Sequence, residues 1–206
     1  MYIDTLTLGM FQSNAYLLTE GNETLIIDPG EPYKKIDGFI EKNHLNPVGI
    51  ICTHGHLDHI ISAPELMKKY QIPCFLHEKE KEVLAYLRPM CAHFHVPYYG
   101  EPDPVTWLKD HGSLTVGHFQ LDYRHTPGHT LGGICILTKE GVFTGDTLFY
   151  ESVGRTDFPG GDANMLMISI KTQILSLPDE TVLYPGHGPT TTVKHEKEHN
   201  PFLKGS

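Results

Sequence analysis

The sequence predicts a mixed α/β fold in which two β-sheets pack face to face and helices cover both of them. Short apolar or alternating runs, which are typical of strands, occur in both halves of the chain and end at Pro or Gly turn signals. Segments with apolar residues at helical spacing follow these runs, and each half closes with a helix and a strand. No linker-like segment interrupts the 206 residues, so residues 1–206 are predicted to form a single domain.

The first half is predicted to begin with three strands, YIDTLTLG, NAYLLTE and ETLIIDPG, the last ended by a Pro-Gly pair. Apolar residues at helical spacing from Ile36 to Ile40 then predict a helix. The run PVGIICT is short and continuously apolar, which indicates a strand buried on both faces. Helices are expected over roughly residues 63–70 and 78–87, with the strand IPCFLH between them.

The second half is predicted to begin with an irregular segment. Residues 88–104 contain Pro, Gly and aromatic residues without periodicity, which is typical of a lid or binding loop. The strand pattern resumes in SLTVGHFQLDYRHT, GGICILTKEGVFTGD and ETVLYPG, and a helix is expected near residues 163–176. The turn signal at Lys139, Glu140 and Gly141 indicates a hairpin.

Composition excludes several classes of partner. The chain carries 25 acidic residues against 16 Lys and Arg, and no basic stripe is present, so nucleic acid is not expected as a partner. The apolar runs are short, which predicts neither a membrane span nor a secretory leader. The four cysteines form no C-x-x-C pair and are interpreted as core residues of a reduced, cytoplasmic protein. The oligomeric state is left open.

Histidine is over-represented, with 14 copies, and three of them fall in the stretch THGHLDHI. His54 and His56 can point the same way only if the chain is extended or turned there, which Gly55 permits. Asp58 and His59 follow where a helix is expected to begin. We therefore predict a strand-to-helix loop that presents four metal-ligand side chains to one point, with a solvated His-rich loop as the alternative.

Three later segments repeat this pattern. TPGHT, FTGDT and YPGHG place His129, Asp146 and His187 after apolar runs and beside glycine. The recurrence argues against a solvated loop. Seven candidate ligands exceed the needs of one tetrahedral zinc ion. They suit two ions, about 3.5–4 Å apart, that share a carboxylate.

The motifs THGHLDH, TPGHT, GDT and GHG, in this order, resemble the metallo-β-lactamase superfamily over nearly the whole chain. The resemblance implies a four-layer αββα sandwich with two metal ions at one edge of the sheets. It implies one ion held by His54, His56 and His129, a second held by Asp58, His59 and His187, and Asp146 as the bridge. Asp28, in IIDPG, is interpreted as a brace for the metal loop.

The segments GDTLFYESVGRTDFPGGD and GHGPTTTVKHEKEHNPFL resemble a short glyoxalase II-like subgroup, related to hydroxyacylglutathione hydrolases, that lacks a C-terminal helical domain. The resemblance implies hydrolysis of a small acyl-thioester. Zinc is the expected metal, and iron or manganese is compatible with the same ligands. A hydroxide that bridges the two ions would attack the thioester carbonyl. Asp58 would be the catalytic residue that orients this hydroxide while ligating one ion.

Three residues are predicted to bind substrate. Arg155 matches a basic residue that contacts the glutathione part of the substrate in glyoxalase II, whereas Asp157 replaces a tyrosine of that family. Phe149 and Tyr150 follow the bridging carboxylate and are expected to line the pocket.

Other reactions of the superfamily remain as alternatives. True β-lactamases usually have cysteine in the role of Asp146 and lack a counterpart of His59, and the RNA-processing branch does not fit an acidic chain. GRTDF also occurs in persulfide dioxygenases, which hold a single iron through residues matching His54, His129 and Asp146. A lactonase is a further alternative.

Overall fold

A computed structural model describes residues 1–204, and the last two residues of the predicted domain lie outside the described residues. The strands are β1 (Tyr2–Leu8), β2 (Ser13–Glu20), β3 (Glu23–Ile27), β4 (Asn46–Ile51), β5 (Cys74–His77), β6 (Val105–Leu108), β7 (His111–Val116), β8 (Phe119–His125), β9 (Ile134–Thr138), β10 (Gly141–Gly145), β11 (Leu148–Phe149), β12 (Ser152–Val153), β13 (Val182–Pro185) and β14 (Thr191–Thr192). The helices are α1 (Tyr33–Lys42), α2 (Leu57–Ile60), α3 (Ala63–Tyr70), α4 (Lys81–Leu84), α5 (Leu87–Phe94), α6 (Ala163–Ser169) and α7 (Val193–His199).

The strands form two six-stranded sheets, ordered β1-β2-β3-β4-β5-β6 and β14-β13-β10-β9-β8-β7, and β11 pairs separately with β12. In the first sheet, β3 to β6 are parallel neighbours, and in the second sheet β10 and β13 are parallel. Parallel neighbours need a crossover connection, and helices fill each of these connections. The remaining neighbours are antiparallel.

Three apolar clusters fill the spaces between four layers, which are helices, the first sheet, the second sheet and helices. In β2, Leu17 packs toward the helices α1 to α5, whereas Tyr16 and Leu18 pack into the space between the two sheets, as the two-residue period of a strand requires. A third cluster, which includes Val142 and Leu166, joins the second sheet to α6 and α7. The helices therefore cover the outer face of each sheet, and the predicted αββα sandwich is confirmed.

Two predictions for the middle of the chain were wrong. Residues 88–94 of the segment predicted to be an irregular loop belong instead to α5, which begins at Leu87 and buries Leu87 and Cys91. Pro89 suggested a loop, but it lies in the first turn of α5, where the missing N–H has no helical partner to lose. The helix expected over residues 78–87 is instead a 3₁₀ turn, Glu78–Glu80, followed by α4.

The sheets align the ends of four strands at one edge. The chain leaves β4 in the first sheet, and β8, β10 and β13 in the second, just before the histidine and aspartate motifs. A backbone hydrogen bond of 2.7 Å from Asn14 N to Gly186 O joins the two sheets at this edge. Within the described chain, no helix combines the length and the apolar character needed to cross a membrane.

Candidate metal centre

The structure brings all seven predicted ligands together at the shared sheet edge. The loop after β4 carries His54 and His56, and His56 is the N-cap of the short helix α2, which carries Asp58 and His59. His129 lies in the loop after β8, while Asp146 and His187 follow β10 and β13 within two residues. Strand ends therefore fix the positions of side chains that are distant in sequence.

The ligand atoms fall into two groups, in each of which they lie within 4.8 Å of one another: His54, His56 and His129 in the first, and Asp58, His59 and His187 in the second. In the second group, Asp58 Oδ2 lies 3.3 Å from His187 Nε2 and 3.4 Å from His59 Nε2. Ligands around a tetrahedral zinc ion with bonds of about 2.0–2.1 Å are separated by about 3.3–3.4 Å. These spacings therefore match neighbouring ligands of one ion.

Asp146 faces both groups. Its Oδ1 lies 3.4 Å from His59 Nε2, and its Oδ2 lies 3.5 Å from the Nε2 atoms of both His129 and His187. Asp146 Oδ1 and His54 Nε2 are buried without a hydrogen-bond partner. Buried polar atoms of this kind are rare in proteins unless an ion or water satisfies them. The imidazole and carboxylate donors fit two divalent transition-metal ions.

Hydrogen bonds to the outer ring nitrogens orient four of the histidines. The bonds join His54 Nδ1 to Thr53 Oγ1 (3.1 Å), His59 Nδ1 to Asp28 Oδ2 (3.1 Å), His129 Nδ1 to Arg155 O (2.7 Å) and His187 Nδ1 to Phe11 O (3.1 Å). Supporting bonds of this type direct the remaining nitrogen toward a metal. Asp28 also accepts the Thr53 N–H at 2.6 Å, which confirms its predicted bracing role.

Electrostatics differ between the two groups. Burial, reinforced by neighbouring imidazoles, lowers the pKa of His54, and it lowers the pKa of His56 to about 4, so both rings are neutral. Burial alone would lower the pKa of His59 and His187, but the facing carboxylates raise both values, that of His187 to about 9. Burial opposes ionisation of Asp146, yet His59 and His187 hold its pKa below the usual range.

Metal binding is expected to release protons at pH 7. His187, with a pKa of about 9, and His59 are protonated without metal, and each must lose a proton to become a ligand. Zinc affinity should therefore fall by about ten-fold per pH unit below about 9 for the proton that His187 releases, and the proton that His59 releases should make this dependence steeper. Calorimetric Zn²⁺ titrations in two buffers of different ionisation enthalpy measure this release. A binding enthalpy independent of the buffer at pH 7 would contradict the expectation.

A further group, His77, Asp110 and His125, has ligand atoms within the same distance of one another. The rings of His77 and His125 are stacked at 4.4 Å with an angle of 5° between their planes. Parallel stacked rings cannot both direct an in-plane lone pair at one ion. This group therefore differs from the main centre, where the rings of His56 and His129 cross at 85°.

The predicted substrate residues lie in different surroundings. The ring of Phe149 lies 5.8 Å from that of His187, whereas Tyr150 is 42% exposed and stacks on His195. Arg155 is exposed and donates two hydrogen bonds, of 2.9 and 2.7 Å, to Asp157. Substrate contact by these residues stays a prediction.

Phe158 is an additional residue beside the centre. Its ring lies 5.4 Å from that of His56 and 6.3 Å from that of His129, and the Arg155 guanidinium lies over it at 4.4 Å. Phe158 is the last residue of GRTDF, the segment whose Arg155 is predicted to bind substrate, and this position in the sequence indicated a place near the centre. The motif by itself does not show which side chain faces the metal loops.

The αββα fold and the paired ligand groups define a metal-dependent hydrolase. The chain belongs to the metallo-β-lactamase superfamily, whose family model matches residues 8–187. It is 38% identical to the probable metallo-hydrolase YqgX of Bacillus subtilis, covering 96% of this chain and 95% of YqgX. It is 36% identical to the hydroxyacylglutathione hydrolase GloC of Haemophilus influenzae, covering 98% of each chain.

Solved structures agree with this assignment. The BLEG-1 B3 metallo-β-lactamase superposes with a TM-score of 0.90 and 36% identity, covering 99% of this chain and all of BLEG-1. A di-iron form of TTHA1623 gives a TM-score of 0.89 and 36% identity, covering 97% of this chain and all of TTHA1623. ETHE1 from Myxococcus xanthus gives 0.82 and 27% identity, covering all of this chain and 86% of ETHE1.

Proposed function

We propose that this hydrolase cleaves small acyl-thioesters of the hydroxyacylglutathione type, using two divalent ions held by the seven residues of the centre. The observation that carries the proposal is the complete pair of ligand groups joined by Asp146. The GloC relative, matched over 98% of each chain, supports thioester hydrolysis as the reaction. The net charge of −9 supports a small-molecule partner rather than nucleic acid.

In the proposed reaction, hydroxide formed from water attacks the carbonyl carbon and the carbon–sulfur bond breaks. The departing thiolate takes the proton that the new carboxylic acid loses, so a carboxylate and a thiol are released. When bound, two divalent ions lower the pKa of water toward about 7 and polarise the carbonyl oxygen. Asp58 stays ionised because His59 and His187 hold its pKa low against the effect of burial. Its carboxylate can therefore accept a hydrogen bond from the attacking hydroxide and orient it. A thiolate is a weak base, so its departure requires no strong general acid.

Aromatic side chains flank the two groups. Phe158 lies beside His56 and His129, and Phe149 lies beside His187. We propose that these rings form apolar walls that position the thioester over the centre. Zinc is the proposed metal, and the di-iron form of TTHA1623 supports iron as an alternative.

Arg155→Ala is expected to raise KM for an anionic thioester by about ten-fold, with a smaller change in kcat. The guanidinium fork would hold a carboxylate of the thiol half of the substrate, away from the scissile bond. Its present partner Asp157 is exposed, so displacing it costs little. Steady-state kinetics with an anionic and a small uncharged thioester measure the difference.

Arg88→Ala is the matched control, because Arg88 also lies over an aromatic ring, that of Tyr98, at 5.9 Å. It should change neither substrate's kinetics. Equal loss of kcat for both thioesters in Arg155→Ala would show that Arg155 is structural.

A persulfide dioxygenase is the second candidate, because the ETHE1 structure is similar at 27% identity and GRTDF is shared by resemblance. Its single iron would need His54, His129 and Asp146 only. The second group of Asp58, His59 and His187 would then have no metal role. An intact second group therefore favours the binuclear hydrolase.

One metal-analysed sample tests the proposal in three assays: hydrolysis of lactoylglutathione, hydrolysis of a chromogenic β-lactam, and oxygen uptake with glutathione persulfide. We expect close to two metal ions per chain and turnover of the thioester alone. One iron per chain with oxygen uptake would overturn the proposal in favour of the dioxygenase. Faster turnover of the β-lactam than of the thioester would overturn the proposal in favour of a β-lactamase, the activity in the name of BLEG-1.

A further inference from the structure

Glu80 is a buried carboxylate outside the ligand set. It ends the 3₁₀ turn that follows β5, and its side chain is fully buried. Burial raises its pKa, so an ionised Glu80 is costly unless hydrogen bonds compensate. Its two oxygens do accept such bonds, and both donors are backbone amides of the metal loops.

The two bonds reach different loops. Glu80 Oε2 accepts the N–H of Gly55, which lies between His54 and His56, at 2.7 Å. Glu80 Oε1 accepts the N–H of Gly132, three residues after His129, at 2.7 Å. One rigid carboxylate therefore joins the backbone of the first loop to the backbone of the second.

Neighbouring contacts hold the turn close to the second loop. The ring of His77, just before the turn, stacks on that of His125 at 4.4 Å, and His125 Nε2 lies 2.8 Å from Leu131 O. A Cβ atom at Gly132 would lie only 2.8 Å from Glu80 Oε1, so this close approach requires glycine. The position of Glu80 relative to both loops is thus closely constrained.

We propose that Glu80 is a positioning residue that sets the spacing of the two loops, and thereby the affinity of the His54, His56 and His129 group for its ion. These three histidines lie on the two loops that Glu80 joins. The other group has supports that do not involve Glu80, because His59 bonds to Asp28 and His187 bonds to Phe11 O. Loss of the bridge should therefore weaken one ion far more than the other.

Glu80→Gln tests this inference. Glutamine keeps one acceptor oxygen, but its NH₂ group would face a backbone N–H, so one of the two loops is released. Removal of a group that supports metal ligands typically reduces metal affinity by about 10–100-fold. We expect a loss of this size at one of two zinc sites and no change at the other. Titration of the Zn²⁺-loaded protein with a chromogenic chelator resolves the two steps.

Glu196→Gln is the matched control. Glu196 is also fully buried, and it accepts bonds from Glu151 N (3.0 Å), Thr191 Oγ1 (2.6 Å) and Asn200 Nδ2 (2.7 Å), none of them in the two loops. This variant should lower the unfolding temperature of the metal-free protein but leave both zinc steps unchanged. It shows what loss of a buried carboxylate does by itself.

Unchanged zinc affinity in Glu80→Gln, or equal weakening of both sites in the two variants, would overturn the proposal. If Glu80→Gln does not fold, Glu80→Asp replaces it, because a carboxylate one methylene shorter cannot reach both loops and should show the same selective loss. The inference rests on the ligand groups of the proposed function but not on the thioester reaction. The chelator titration uses no substrate, so failure of the two proposals can be distinguished.

Discussion

Asp146→Asn is expected to abolish most of the activity while leaving the fold intact. The substitution keeps the size of the side chain but removes the charge that faces His59 on one side and His129 and His187 on the other. Loss of a supporting group typically costs about 10–100-fold, and loss of a shared ligand should cost more, so we expect a fall of more than about a hundred-fold. Elemental analysis should show fewer than two ions per chain, and circular dichroism should remain unchanged.

His93→Ala is the control for Asp146→Asn. His93 is an exposed histidine of α5 that belongs to a second H-x-H sequence, so it tests whether any histidine substitution lowers metal content. It should retain both ions and normal turnover. An Asp146→Asn protein with two ions and normal turnover would refute the bridging role.

The predicted ligands are brought together because of where they occur along the chain. His54, His129, Asp146 and His187 each follow an apolar run and lie beside glycine, and parallel or neighbouring strands end at a common edge. Strand periodicity therefore predicted the position of the site as well as the fold. It did not predict β6 (Val105–Leu108), a four-residue strand at the edge of the first sheet in which only Leu108 is buried.

Other features depend on contacts between distant segments. Glu80 lies 25 residues from Gly55 and 52 residues from Gly132, and its own charged surroundings, HEKEKE, indicate an exposed turn. Phe158 belongs to a glycine-rich segment without periodicity, so its approach to His56 follows only from the folded loop. The prediction of a single domain, and the roles of the substrate residues, stay predictions.

Gly186→Ala is expected to disrupt the centre about as strongly as loss of a ligand. A Cβ atom at position 186 would overlap Asp146 Oδ1 and lie 2.8 Å from His59 Cε1. His59 and the Oδ1 atom of Asp146 are both buried, so neither can move aside without changing its direction toward the ions. We expect loss of at least one ion and a fall in turnover of more than about a hundred-fold, measured by elemental analysis and by thioester hydrolysis.

Gly38→Ala separates this effect from the general consequences of replacing glycine. Gly38 lies in the middle of α1, and a Cβ atom there meets nothing within 4 Å. Because glycine is a poor helix former, alanine should stabilise the protein by about 0.5–1 kcal/mol and leave metal content unchanged. Gly38→Ala should therefore raise the thermal stability and keep the bound metal, whereas Gly186→Ala should lose bound metal. If Gly186→Ala keeps both ions and full turnover, Asp146 and His59 are less tightly confined than their contacts indicate, and the centre tolerates displacement of its bridging carboxylate.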